Sequence, residues 1–253
     1  MPKSQQDLSR NTLLSILSAG DRALLEPHLE RLKLGREQVL IEPDKSIEHV
    51  YFPEGGIASI TSNSAESGAT EVGIFGREGM SATALLLGSD RSPHKTFIQV
   101  DGAHALRIDA RRFVEAVEAS ATLRQTMLRY VQTLLVQTCQ SAVANARYQI
   151  EARLARWLLM CHDRSDGDEV GLTHEFMAMM IGAQRSGVTV ALHILEGSGM
   201  IRSKRGRVII RDREKLEELA GDSYGPAEAE YRRLVAPFGR SPEVTLLGAS
   251  LRL

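Results

Sequence analysis

The sequence predicts an α+β protein: an N-terminal antiparallel β-sandwich or barrel, one long helix, and a C-terminal winged helix-turn-helix. Three observations carry this. Six short β-type runs punctuated by Gly and Pro fill the stretch from Asp21 to Ile108. From Leu123 to Ala146, roughly 24 residues, there is no Gly or Pro and apolar residues recur at helical spacing. Gly171–Arg213 then reads as two short helices around a tight turn, followed by a basic hairpin.

The β-type runs are Gln38–Ile41, His49–Phe52, Gly56–Thr61, Glu71–Phe75, Thr96–Val100 and His104–Ile108. Pro43-Asp44, Pro53-Glu54-Gly55-Gly56 and Asp101-Gly102 break them, because Pro fixes φ and Gly admits φ > 0. Two helical pieces, Leu13–Leu17 and Arg22–Leu32, precede the strands. Asp109 is a good N-cap for a helix over Ala110–Glu118, and Ser120 or Thr122 can start the next one. On that long helix Leu123, Met127, Val131, Leu135, Cys139 and Val143 form an i+4 stripe, flanked by Leu128 and Leu134. The stripe either covers the chain's own barrel or seeks a partner helix; the second reading predicts a homodimer with Leu123, Met127, Val131, Leu135, Thr138 and Cys139 at its interface. The predicted organisation is a lead-in over 1–20, a β-domain over 21–119, the long helix over 120–147, the winged domain over 148–221 and a weakly patterned tail over 222–253.

Composition narrows the function. The 253 residues are 43% apolar and 25% charged, ordinary globular usage that excludes wholesale disorder and fibrous repeats. Lys+Arg is 31 against Asp+Glu 32, so a globally basic nucleic-acid binder is excluded while a local basic patch is not. Two cysteines, Cys139 and Cys161, make neither a disulfide framework nor a four-thiolate cluster, and both read as buried thiols. The seven His residues lack a zinc spacing, and His28, His49, His104 and His174 read as surface or capping groups. There is no Walker loop, no nucleophile elbow and no His-Glu-x-x-His. The sequence therefore calls for no cofactor, no metal and no enzyme activity. With no signal peptide at its N-terminus and no apolar run near ~20 residues, it predicts a cytoplasmic protein without a membrane partner.

The segment Gly171–Arg213 carries the sharpest chemistry. Thr173 is a natural N-cap, Glu175 suits the first turn, and Gly182-Ala183 interrupts before a second helix over Gln184–Glu196. Val188, Leu192 and Leu195 face inward; Gln184, Arg185, Ser186 and Thr189 face outward at the end that would enter a major groove. Arg can bond guanine O6 and N7 bidentately, and Gln and Ser adapt to bases or phosphates. Gly187 in mid-helix costs about 1 kcal/mol against Ala, which close approach to a neighbour would offset. Gly199 ends the helix, and strands at Met200-Ile201 and Val208–Ile210 flank a turn at Lys204–Gly206. Between Arg202 and Lys215, Arg202, Lys204, Arg205, Arg207, Arg211, Arg213 and Lys215 outnumber Asp212 and Glu214, a local charge of +5 that points to phosphate contacts.

The segments EHVYFPEGGIASI, EVGIFGREGM, EARLARWLL and LTHEFMAMMIGAQRSGVTVALHILEGSGMI resemble the Crp–Fnr family of bacterial transcription regulators, from about Asn11 to Tyr224. The resemblance implies a cyclic-nucleotide-binding-type β-roll, a long dimer helix and a winged helix that binds double-stranded DNA, with RNA polymerase and a small effector as further partners. It places the base-reading positions on Arg185, Ser186 and Val190, within the wider DNA surface that the helix pattern and the wing charge predict at Thr173, Gln184, Thr189, Arg202, Lys204, Arg205 and Arg207. Only the Arg matches well-studied members: Ser186 replaces an acid and Val190 a second Arg, so the operator is not inherited.

The effector half of the resemblance is degenerate. Cyclic-nucleotide binders of the family hold the phosphate with a Gly-Glu pair and an Arg before a small hydroxyl residue. Here Gly76 and Glu78 are separated by Arg77, and His94-Lys95-Thr96-Phe97 has Lys95 where the Arg would stand. The expected effector positions are Gly76, Arg77, Glu78, Lys95, Thr96 and, where binders place a purine-contacting Thr, Thr138. An uncompensated buried phosphate costs several kcal/mol, which predicts that cyclic AMP is not the effector. Another small effector, or a roll that senses nothing, remains open. The alternative function is a ligand-binding signalling module whose helical C-terminal domain docks a protein partner.

Overall fold

The computed structural model describes residues 9–64, 68–100 and 103–240, and the parts follow in the predicted order. Two short helices, α1 (Thr12–Ser15) and α2 (Ala19–Leu25), are capped by the side chains of Asn11 and Ser18. Strands β1 (Glu30–Leu34), β2 (Val39–Ile41), β3 (His49–Pro53), β4 (Ile57–Ser64) and β5 (Gly68–Phe75) follow, then α3 (Thr83–Leu86), β6 (Lys95–Val100) and β7 (Ala103–Asp109). They pair antiparallel in two sheets, β1-β7-β3 and β2-β6-β4-β5. Leu34, Tyr51 and Ala105 of the first sheet pack with Ala58, Phe75 and Ile98 of the second, so the core of the roll lies between the sheets.

One expected helix is corrected. The sequence suggests Arg22–Leu32 as helical, but α2 stops at Leu25, Pro27 lies in a 3-10 turn, and β1 pairs with β7. Arg31-Leu32-Lys33-Leu34 does alternate at period 2, but over four residues only, while Leu25, Leu29 and Leu32 carry the helical spacing of α2 past its end.

Helix α4 (Ala110–Ala119) is capped by Asp109, whose carboxylate accepts from the Arg111 and Arg112 amides, as expected. Ser120 caps α5 (Ala121–Arg147), 27 residues or about 40 Å long. Asp21 ties the start of α5 to α2, accepting from the Ser120 and Thr122 hydroxyls at 2.5 and 2.9 Å. The buried face of α5 runs through Leu123, Met127, Tyr130, Thr133, Gln137 and Ala144. The i+4 stripe read from the sequence therefore divides. Each i+4 step turns about 40° around the helix, so the stripe starts on the chain's own core and ends on the opposite side. Leu123 and Met127 are fully buried within the chain and unavailable to a partner; Val131 and Thr138 are half-buried, while Leu128, Leu135, Cys139 and Val143 are exposed. Cys161 is buried as expected, and Cys139 is not.

The chain turns at Tyr148 and Gln149 into α6 (Ile150–Arg164), β8 (Glu169–Val170), α7 (His174–Met180), α8 (Arg185–Gly197), β9 (Ile201–Lys204), β10 (Arg207–Ile210), α9 (Arg213–Ala220) and α10 (Pro226–Leu234). A third sheet, β8-β10-β9, forms the wing. The tail is less irregular than its composition suggests: up to Arg240 it holds α10, which packs along α5 and buries Ala227, Glu228 and Tyr231. The core of the winged domain takes in Ile57 and Ile74 of the roll, so apolar burial continues from one domain into the other. Among the described residues no helix is long and apolar enough to cross a membrane.

Candidate nucleic-acid interface and effector site

Helices α7 and α8 form the predicted helix-turn-helix. Thr173 accepts the Phe176 amide as N-cap of α7, which buries Met177, Ala178 and Met180. Gly182, at φ +57°, makes the turn, and α8 buries Val188, Ala191, Leu192 and Leu195. Gly187 sits where α8 crosses α6: a Cβ there would lie 2.9 Å from Ile150 Cδ1. Gly199 follows the helix at φ +74°, the conformation expected of it.

Among the described residues nothing covers the outer surface of α8. Gln184, Arg185, Ser186 and Val190 are exposed. Thr189 is half-buried, its hydroxyl donating to the Arg185 carbonyl and lying 3.2 Å from His174 Nδ1. Thr173 and Thr189 thus already serve the fold, whereas Gln184, Arg185 and Ser186 point at nothing in it.

The wing presents Arg202, Lys204, Arg205 and Arg207, with Arg207 paired to Glu169 at 2.9 Å. The local charge of +5 is smaller at the surface than in the sequence. Arg213 does not join it: its guanidinium is only 15% exposed and bonds Asp163, Glu217 and the Tyr224 hydroxyl. Lys215 pairs with Asp212. Arg202, Lys204, Arg205 and Arg211 remain exposed, with no ion pair among the described residues. Sequence counting cannot separate these sets, because alternate residues of a hairpin and its following helix face opposite ways.

Of the expected effector residues, Gly76 and Glu78 meet, but Lys95 and Thr96 stand apart from them. Phe75, just before Gly76, faces Ala58 on β4, whereas Lys95 faces Thr61, three residues and about 10 Å farther along that strand. Thr96 is buried in β6, Lys95 Nζ lies 5.7 Å from the Phe97 ring centre, and Thr138 Oγ1 donates to the Leu134 carbonyl. The Gly76 amide donates to both oxygens of the Glu78 carboxylate, 3.1 and 3.0 Å away. That carboxylate is held by Arg164 of α6, Nε to Oε1 2.8 Å, with the two side chains 2% and 4% exposed. Arg77 pairs with Asp166 at 2.6 Å, and Arg10 pairs with the same carboxylate.

The groups that occupy this region come from the winged domain and the tail. Trp157 Nε1 donates to Glu71 Oε1 at 3.0 Å, and the Ser59 hydroxyl reaches Glu71 Oε2 at 3.0 Å. The Phe238 ring lies 5.0 Å from the Arg164 guanidinium, and the Tyr231 hydroxyl donates to the Glu78 carbonyl. Phe176 of α7 packs between Phe97 and Arg36 of the roll. Between Ile74, Tyr130, Gln137, Arg164 and Tyr231 a cavity of about 20 Å³ remains, room for about one water. Sequence reasoning did not single out Arg164, Trp157 or Glu71. The available signal was a charged or polar-tipped residue on otherwise apolar runs, Trp157 and Arg164 on α6 and Glu71 on β5.

A β-roll, a long helix and a winged helix-turn-helix thus follow one another along the chain. Residues 152–219 match the Crp-like helix-turn-helix domain. Across the longer chain the fold is that of Crp/Fnr regulators. It is similar to a Crp/Fnr-family transcriptional regulator from Eubacterium rectale (17% identity, TM-score 0.65, 83% of this chain and 98% of that one). It is similar to a CRP-family transcriptional regulator from Thermus thermophilus (18%, 0.64, 78% and 98%) and to FixK2 from Bradyrhizobium japonicum (14%, 0.65, 76% and 98%). No curated protein matches the chain in sequence. The Crp–Fnr resemblance is borne out: the C-terminal domain is Crp-like and the whole has the Crp/Fnr fold.

Glu71 provides a titratable reporter of the contact between roll and winged domain. Burial pushes its carboxyl from about 4.5 up to about 8, against the hydrogen bonds from Ser59 and Trp157 and the charges of Arg156 and Arg164. Because the folded-state value lies above the unfolded one, the stabilisation is full below about pH 4.5 and is lost as pH rises toward 8. Glu71→Gln, which cannot ionise, should remove this part of the slope and gain on the wild type by up to a few kcal/mol between pH 5 and 8. Urea denaturation at both pH values measures it; equal slopes for the two proteins would contradict the assignment.

Proposed function

We propose that this chain is a homodimeric, sequence-specific DNA-binding transcription regulator whose β-roll is a scaffold for the winged domain rather than a cyclic-nucleotide sensor. The observation that carries the reading is the outer surface of α8: Gln184, Arg185 and Ser186 stand exposed at its N-terminal end, beside the exposed cations Arg202, Lys204, Arg205 and Arg211. A helix N-terminus with a guanidinium fits the major groove, and flanking cations fit the phosphates on either side. The scaffold reading is supported by Glu78, whose carboxylate is already paired with Arg164, and by the separation of Lys95 and Thr96 from Gly76.

Dimerisation is supported by the exposed line of α5. Leu128 and Leu135 are 38% and 56% exposed on one long helix, and with Val131 between them they follow the 3-4 spacing of a coiled-coil seam, with Val143, 49% exposed, at its flank two turns on. A second copy in two-fold symmetry would bury it and set two α8 helices against half-sites about one helical turn apart.

Two experiments test the reading. Arg185→Ala should weaken binding to a selected duplex by ~1–3 kcal/mol and relax preference at one base pair, while Arg205→Ala weakens all duplexes alike. Mobility shifts on selected and random duplex distinguish these, and an equal loss on both for Arg185→Ala would remove its base-reading role. Leu135→Asp would bury a charge in the seam and should give monomers by light scattering; a wild-type chain that is monomeric at micromolar concentration would overturn the dimer.

A further inference from the structure

The outward face of α8 is not uniformly polar. At 100° per residue, Ser186, Val190, His193 and Gly197 lie along the line farthest from the buried Val188, Ala191, Leu192 and Leu195. All four are exposed, and Val190 is 56% exposed. Ile194, one turn on and at the flank of this line, is 47% exposed. A β-branched apolar residue at a solvated helix position loses helix propensity and gains no burial within the chain. Its neighbours one turn back, Arg185, Ser186 and Thr189, are polar, so the apolar patch begins at Val190.

Resting on the reading of this surface as DNA-binding, we propose that Val190 is a specificity-determining residue that reads the C5-methyl of a thymine in each half-site. In the major groove the base edges present donors and acceptors, and the thymine methyl is the one apolar group among them. Val190 is the sixth residue of α8, within the N-terminal turns that reach base edges, and on the line that faces the groove floor. Ile194 lies about 6 Å farther along the helix, beyond the end that enters most deeply. The side chain of Val190 can make no hydrogen bond, so it discriminates by contact with the methyl and by leaving a guanine or cytosine edge unsatisfied at that step. Half-sites should therefore hold an A·T pair next to the base pair read by Arg185 or Ser186.

The test uses the full chain. A duplex is selected from a random library, and each thymine of one half-site is replaced singly by uracil, which removes only the methyl. One uracil should weaken wild-type binding about fourfold, the value of one buried methyl-sized group. The same uracil should have a smaller effect on Val190→Ala, whose shorter side chain makes less contact with the methyl, and retain its full effect on Arg185→Ala. An enriched duplex in which no uracil changes affinity, or in which the sensitive uracil acts equally on Val190→Ala, would overturn the role of Val190 and leave DNA binding standing. Failure of the library to enrich any duplex would overturn the DNA-binding reading itself, and this inference with it.

Discussion

The buried pair between Arg164 and Glu78 is the constraint on which the rest of the structure depends. Glu78 belongs to the loop after β5, Arg164 to the last turn of α6, and the Phe238 ring from the tail covers the guanidinium. Three segments distant in sequence therefore meet on one charge pair that is almost inaccessible to water. Such a pair adds little net stability over an apolar replacement, but leaving either charge alone in the interior costs about 3–5 kcal/mol. Its effect is to forbid other arrangements of the roll and the winged domain. The favourable free energy of the contact comes from apolar burial, with Ile57 and Ile74 packed among Leu154, Leu158 and Met180.

This arrangement explains why the family's ligand residues cannot be read at face value here. A Gly-Glu pair and a nearby cation are present, but the cation is Arg164 from the chain's own α6 and its anion is the Glu78 carboxylate. Trp157 and Glu71 fasten the same boundary seven residues earlier, on β5 itself. With the roll engaged in this manner, α8 and the wing stay on the outside of the molecule, their cations turned to solvent. On the proposed reading the roll fixes where the two recognition helices stand in a dimer.

Much of this was legible in the sequence, and the rest was hidden for physical reasons. The Asp109 and Ser120 caps, the Gly182 turn, Gly199 and the inward line of α8 are local features, each set by residues within one or two turns. The fold class followed from them. Strand β1 was hidden because its pairing with β7 spans the whole roll and because Leu25, Leu29 and Leu32 continue a helical spacing into it. The i+4 stripe on α5 misled because it precesses around the helix, so Leu123 faces the core while Leu135, about 120° away, faces out. On the outer face of α8, Gln184, Arg185 and Ser186 are exposed as the pattern predicts, whereas Arg213 turned inward to Asp163 and Tyr224. The effector region was least legible, since Arg164 lies 86 residues from Glu78 and nothing local marks their contact.

Trp157 is the only tryptophan in the chain and sits on the boundary itself, 2% exposed and bonded to Glu71. Urea denaturation followed at one protein concentration by its fluorescence and by far-ultraviolet circular dichroism asks directly whether roll and winged domain form one unit. Coincident transitions are predicted, because undocking would expose the apolar contact of Ile57 and Ile74 with Leu154, Leu158 and Met180 before either domain had unfolded. A fluorescence change completed at lower urea than the loss of secondary structure would show that the domains part while still folded, and would contradict the account.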